Sequence, residues 1–459
     1  MSDKAKEKVA LGENGIYDAR SLGTPKVLLL GLQHMFAMFG ATILVPMLTG
    51  LDVSTTLLFA GLGTLLFHLL SKGKVPAFLG SSFAFLGGYF AIAPMTDGVP
   101  NKAMLPYACI GVACAGLLYL VLALLIKIFG TDRVMKFFPP IVTGPIIIAI
   151  GLTLSKSAID NCAKDWLIAA VAIVLVIVCN IWGKGMIKIV PIIIGVIGSY
   201  ILAAVMGRVD FTQVVEAKWL GFPIKWEETA FSVMFDGDPA LIITAIITIM
   251  PIALATMVEH IGDMSAISST VGKNFIKEPG LHRTLLGDGL ATSIAALFGA
   301  PANTTYGENT GVLSLTKVFD PLVIRIAAVF AVLFSFSPKF AALIACMPEA
   351  TCGGVSLVLY GMISAVGVRN IVETKVDFAK SRNVIIAALI LVLSIGINYS
   401  TAGDIGFTIG DMTISFTGLA VGAIVGIVLN AILPGKDYVF DEEVPSDTGV
   451  DFAVRGSDK

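Results

Sequence analysis

The sequence predicts an all-α polytopic membrane protein of about 14 transmembrane spans, arranged as two inverted seven-span repeats. Three observations carry that prediction. Of the 459 residues, 56% are hydrophobic and only 14% charged, and the mean hydropathy is +0.89, more apolar surface than a soluble globule of this length buries. Apolar runs close to the roughly 17–25 residues that cross a bilayer as helix recur along the chain, as in Leu105 to Ile126 and Trp166 to Ile181. The two halves also carry matching motifs at matching places.

In order, residues 1–24 are charged and polar and read as a cytoplasmic tail without a cleavable signal peptide. The first repeat, 25–207, holds spans at about 25–48, 54–71, 76–95, 104–129, 135–154, 166–183 and 189–207. Residues 208–238, with Trp219, Trp226, Glu227 and Glu228, read as an external, interfacial loop. The second repeat, 239–433, holds spans at about 239–258, 281–300, 302–316, 321–338, 341–364, 383–399 and 413–433, and 434–459 form a second cytoplasmic tail. With that alternation, 24 of the 31 Lys and Arg lie inside. The excess, around Lys72, Arg133, Lys184, Lys273 and Arg369, supports an even span number with both termini cytoplasmic in the plasma membrane.

Several classes of function are excluded or left without support. There is no GxxxxGK[ST] phosphate loop, and neither HExxH nor GxSxG, so no nucleotide hydrolysis and no enzyme activity is expected. The six Cys are scattered without CxxC spacing and read as buried small hydrophobes, with no metal or cofactor implied. The net charge of -2 says little about partners; lipid is expected and nucleic acid is not.

The repeat rests on two pairs of motifs. "PAFLGSSFAF" from Pro76 and "PANTTYGENT" from Pro301 each open the third span of their half, and Pro139 with Gly144 matches Pro348 with Gly353 in spacing. An odd number of spans per half turns the halves in opposite directions, the inverted plan of secondary transporters whose interrupted spans meet near the midplane. An interruption at depth exposes N–H and C=O groups that lipid cannot satisfy and a polar ligand can, and the half-helix after it favours acceptor oxygens. Here the interruptions are Gly80-Ser81-Ser82-Phe83-Ala84 and Thr304-Thr305-Tyr306-Gly307-Glu308. Small residues, the flat faces of Phe83 and Tyr306, and the Glu308 carboxylate describe a pocket for a planar ring with alternating C=O and N–H groups, such as a nucleobase.

Other ionisable residues fall at the same depth. "MVEHIGDMSAIS" puts Glu259 and Asp263 on one helical face at the end of the eighth span, with His260 turned away as a core hydrogen-bonding group. Asp288 lies within the ninth span, either functional or tying broken helices together through their N–H groups, and His34, beside Gln33 in the first, divides between hydrogen bonding and proton handling. His68 and His282, near span ends, read as structural.

"QHMFAMFGATILVPMLTG" (33–50), "LGSSFAF" (79–85), "EHIGD" (259–263), "GDGLAT…FGAPANTTYGEN" (287–309) and "TTYGENTGVLSLTKV" (304–318) together resemble the nucleobase–ascorbate transporter family, also called the nucleobase:cation symporter-2 family, and within it the bacterial uracil permeases. The signature [EQ]-N-x-G-x-x-x-x-T-[KRG] is matched from Glu308 through Lys317. The resemblance implies short antiparallel strands and half-helices in the third and tenth spans. It implies a core domain of spans 1–4 and 8–11 (about 25–129 and 239–338) and a gate domain of spans 5–7 and 12–14 (about 135–207 and 341–433). A homodimer with an elevator-like movement, driven by proton symport, follows from the same likeness. By position, Glu259 and Glu308 would bind ring N–H groups, the backbone N–H groups of Phe83 and Gly307 would meet carbonyl oxygens, and Ser82, Ala84 and Tyr306 would line the pocket.

Proton coupling would fall to Glu259, Asp263, His34 and Asp288, because neighbouring carboxylates in an apolar setting resist being charged together. Glu308 matches the uracil branch, whereas Gln is usual in the xanthine and urate branch. The residue four after Glu259, often His in uracil permeases, is Asp263, and purine-transporting relatives carry carboxylates in this region too. A purine-base symporter therefore stands as the alternative to a uracil importer, with sodium an alternative to the proton. A channel would need a continuous polar pore, and an anion exchanger would not be expected to hold Glu259 and Glu308 in its site.

Overall fold

Backbone groups surrounded by hydrocarbon must find partners inside the protein, and this chain meets the demand almost entirely with helices. The computed structural model describes residues 15–436 except 97–98, 185–186, 188–190, 402 and 410–411, and the side chains of 37, 40, 308, 311, 314, 315, 407–409 and 412–415 are likewise outside the description. In the first half the elements are α1 (Thr24–Thr49), α2 (Val53–Leu70), β1 (Leu79–Ser81), α3 (Leu86–Ile92), α4 (Leu105–Phe129), α5 (Pro140–Thr153), α6 (Ser155–Ala163), α7 (Trp166–Trp182) and α8 (Pro191–Val205). The second half holds α9 (Pro239–Ile249), α10 (Ala253–Val271), α11 (Leu281–Leu297), β2 (Asn303–Thr305), α12 (Glu308–Thr316), α13 (Pro321–Ser335), α14 (Pro338–Ala345), α15 (Glu349–Glu373), α16 (Ser381–Asn398), β3 (Asp404–Ile409), β4 (Met412–Thr417) and α17 (Gly418–Ile432).

Local chemistry sets where many helices begin. Asp52, Asp165, Asp238 and Asp320 each accept from a backbone N–H of the turn they precede, at α2, α7, α9 and α13, and Ser337 and Thr417 do the same for α14 and α17. Pro239, Pro321 and Pro338 stand in the first turn, where a missing N–H costs nothing.

Among the described residues, seven helical segments are long and apolar enough to cross a membrane, or eight if α13 and α14, bent by 88°, count as one. Shorter apolar helices, including α7, α8 and α17, stand beside them. The chain is thus a multi-pass, mostly helical membrane protein. One set of helices, α1, α2, α4, α9, α11 and α13, packs together, and a second set, α5 to α8 with α15 to α17, packs around α15. The helix α10 lies between them, touching α4 and α12 on one side and α5 and α17 on the other.

Several boundaries differ from the sequence expectation. The span expected to end at 258 continues through α10 to Val271, so Glu259 stands inside a helix, one turn before Asp263. Its polar side chains lower the hydropathy, yet the backbone bonds continue and neighbouring elements receive those side chains. The span expected at 341–364 is two elements, because Pro348 ends the approach from α14 and opens α15, which runs on to Glu373. The span expected from 413 begins only at Gly418, since β3 and β4 pair antiparallel, Asp404 with Thr417 and Ile409 with Met412.

Small residues allow close approach, as at the seam that joins α4 to α11. A Cβ at Gly116 would lie 2.2 Å from Ser293 Oγ and 2.6 Å from the Gly289 carbonyl, and one at Gly289 would lie 2.5 Å from Tyr119 Cβ. Replacing Gly289 by Val is expected to cost about 1–3 kcal/mol through overpacking. A lowered melting temperature in detergent checks it, and an unchanged one contradicts the close packing.

Candidate functional site

The two interrupted spans meet as a pair of three-residue strands. β1 and β2 run antiparallel, Leu79 opposite Thr305, Gly80 opposite Thr304 and Ser81 opposite Asn303, so each interruption satisfies part of the other's exposed backbone. The pairing extends past the strands, where the Ser82 N–H donates to the Ala302 carbonyl (2.9 Å) and the Tyr306 N–H to the Phe78 carbonyl (3.2 Å). All six strand residues are buried.

Side chains from the surrounding helices close what remains. The Thr305 N–H donates to Asp288 Oδ1 (2.8 Å), and Thr292 on the same helix, α11, donates to the Asn303 carbonyl (2.9 Å). Asn303 Nδ2 reaches the Phe59 carbonyl and Asn309 Nδ2 the Pro76 carbonyl, each at 2.6 Å, while Leu79 N–H donates to Thr64 Oγ1 (2.9 Å). Ser81 Oγ donates to the Thr42 carbonyl (2.8 Å) and the Tyr306 hydroxyl to the Ser81 carbonyl (2.9 Å), joining α1, β1 and the segment after β2. A Cβ at Gly80 would sit 2.6 Å from the Tyr306 ring, so only glycine lets that ring cross the strand.

His260 is the hub of this framework. It is 1% exposed; its Nδ1 lies 3.0 Å from Thr305 Oγ1 and 3.3 Å from Asp288 Oδ2, and its Nε2 lies 3.0 Å from Thr284 Oγ1. Three elements, α10, α11 and β2, are thereby tied at one point.

Of the residues singled out from the sequence, Phe83, Ala84, Ser82 and Tyr306 are buried around the strand pair. Gly307 precedes α12 and faces α10, where a Cβ on it would begin 2.9 Å from Asp263 Oδ1. Glu259 and Asp263 are brought to this place on one helix, Asp263 buried and Glu259 half-buried. Asp288 stands on the far side of His260, fully buried and in contact with backbone. His34 is buried on α1 beside the Asn309 side chain. Glu308 is the first residue of α12, and its side chain lies outside the described residues. Phe83 meets Tyr360 of α15 edge-on, ring centroids 5.6 Å apart, so the site borders the second set of helices.

Sequence reasoning missed Tyr119. It is fully buried on α4, beside Thr256 and within electrostatic reach of Asp288, Glu259 and Asp263. A single Tyr inside "GLLYLVLALL" was the only signal.

The arrangement offers backbone donors at the start of two half-helices, two aromatic faces and a pair of carboxylates one turn apart, with no group of three or more His, Cys, Asp or Glu placed to hold a metal among the described residues. If Asp288 supports the strands, Asp288→Ala is expected to lose about 1–3 kcal/mol by orphaning the Thr305 N–H, and Asp288→Asn, which keeps an acceptor, less. Melting temperatures of the purified variants check the order, and equal losses contradict it.

Comparison with known proteins agrees with this architecture. A family model described as "Permease family" matches residues 25–403. The chain is 44% identical over 417 residues to the uracil permease of Bacillus caldolyticus, covering 89% of this chain and 92% of that one, and 37% identical over 429 residues to the uracil permease of Escherichia coli (strain K12), covering 91% and 94%. Its fold is similar to the transmembrane domain of the cyanobacterium bicarbonate transporter BicA, at a TM-score of 0.59 and 14% identity over 91% of this chain and 99% of that one. It is also similar to murine Solute Carrier 26 family member A9, an anion transporter, at 0.63 and 12% over 89% and 68%. The family match runs from α1 through the site to the end of α16, and the chain belongs to the permease family of the uracil permeases, the nucleobase–ascorbate transporter or nucleobase:cation symporter-2 family.

Proposed function

We propose that this permease imports a nucleobase, uracil above the purine bases, by proton symport with alternating access. The observation that carries the reading is the pairing of the two interrupted segments, with Asp263 against Gly307 before one half-helix and Glu259 one turn earlier on the same helix. A uracil ring presents two N–H groups and two carbonyls around its edge; carboxylates accept from the former and backbone N–H groups donate to the latter. Uracil permeases being the named relatives at 37–44% identity supports the choice of base.

In this reading the chain has 14 spans in two inverted repeats, both termini cytoplasmic, and works as a homodimer in the plasma membrane. Spans 1–4 and 8–11 form the moving core and spans 5–7 and 12–14 the gate, a division supported by the two sets of packed helices. Glu259 takes a proton with the base, Asp263 one turn away makes holding it favourable, and neutralisation lets the loaded core cross the low-dielectric barrier. Glu308 selects the base by its ring N–H. His34 and Asp288 complete the polar network on either side.

The purine alternative is favoured by one observation, Asp263 against Gly307, a carboxylate where uracil permeases often carry His. An anion exchanger has only the fold in its favour, and the Glu259–Asp263 face opposes it.

Uptake of labelled uracil into proteoliposomes under an imposed pH gradient tests the assignment. Wild type is expected to concentrate uracil, Glu259→Gln to lose concentrative uptake by about tenfold or more, and Glu308→Ala to bind more weakly by a similar factor. Concentration by Glu259→Gln equal to wild type contradicts the coupling role, and unchanged affinity in Glu308→Ala contradicts the recognition role.

A further inference from the structure

A cavity of about 220 Å³ lies between the two sets of helices, beyond the Phe83–Tyr360 contact. Its inner wall is Ala84, Gly87 and Phe90, on the short helical segment that continues from Phe83; its outer wall includes Thr153, Lys156 and Tyr399. It joins the buried Ala84 to the exposed Tyr399 and the solvent-facing Lys156–Asp160 ion pair, and so leads from the surface to the residue beside the candidate site.

The outer wall is braced. The helix path breaks at Leu154 between α5 and α6, and across that break Asn398 Nδ2 donates to the Thr153 carbonyl (2.9 Å) and the Tyr399 hydroxyl to the Leu152 carbonyl (2.7 Å). The inner wall has space. A Cβ built on Gly87 meets nothing within 4 Å, unlike one at Gly80 or Gly307, so the absent side chain keeps this part of the cavity open.

Size then decides what the cavity admits. An engineered protein cavity of about 150 Å³ accepts a benzene ring. The space beside Gly87 therefore has room for a planar ring with small exocyclic groups, and a side chain added at Gly87 would take up part of that room.

We propose that this cavity is an access chamber for a planar base on its way to the site, and that Gly87 is a specificity-determining residue whose missing side chain sets the bulk the chamber admits. The proposal rests on the nucleobase-import reading and extends it to the path. Lys156 and Asp160 at the mouth present a cation and an anion side by side, which suits a neutral, dipolar solute and repels neither of its ends.

The test uses Gly87→Cys in a protein whose two half-buried thiols, Cys114 and Cys346, are replaced by Ala. In proteoliposomes an impermeant sulfonatoethyl methanethiosulfonate is expected to label the introduced thiol from the outer face only. A methyl adduct at that position leaves uracil uptake within about twofold, whereas a benzyl adduct lowers it about tenfold or more. No labelling in a transport-competent variant, or equal uptake with both adducts, overturns the proposal. If Gly87→Cys does not fold, Thr153→Cys on the facing wall carries the same series. Outer-face labelling in a protein that neither binds nor carries any nucleobase would instead sink the import reading and leave the chamber standing.

Discussion

The rest of the structure depends on one constraint: two segments stop being helical in the buried interior of a helical membrane protein, and every N–H and C=O they free needs a partner. A lone interruption would leave several such groups facing hydrocarbon at a cost of a few kcal/mol each. Here two interruptions meet, and β1 with β2 exchange the bonds each lacks. Only a strand pair this short fits, because the helices on both sides must resume at once; α12 begins three residues after β2 ends. The threonines, asparagines and Asp288 around the pair take up what the strands cannot.

That solution assigns particular polar groups to holding the strands. His260 and Asp288 hold β2, and Asp263, one turn after Glu259 on the helix that carries His260, lies against Gly307 before α12. The helix α10 carries Glu259 and Asp263 between the two helix sets. Tyr119, from α4, stands within electrostatic reach of the same group of acids.

The site was legible where the sequence contradicts its own setting. Polar, glycine-containing runs at 79–85 and 303–309 stand out in an apolar chain, and their repetition pairs them without any structural knowledge. Span ends were legible only where a cap or proline marks them, as at Pro239 and Pro321. Hydropathy failed at α10, where acids interrupt the apolar pattern without interrupting the helix, and at Pro348, where two apolar elements abut. The paired strands β3 and β4 carry alternating residues, a strand signal hidden beside the apolar run of α17. Tyr119 was out of reach, since its role comes from α4 packing on α11 and not from its neighbours in sequence.

The central claim is that the crossing of the interrupted spans, completed by Glu259, holds a nucleobase. Thermal unfolding of the purified protein against a panel of uracil, xanthine, urate and bicarbonate tests it most directly, because a ligand at 100 times its Kd adds about 2.7 kcal/mol to the native state. The account predicts a saturable rise in melting temperature with uracil that Glu259→Gln abolishes. A rise with bicarbonate alone, or a uracil rise untouched by Glu259→Gln, would contradict it.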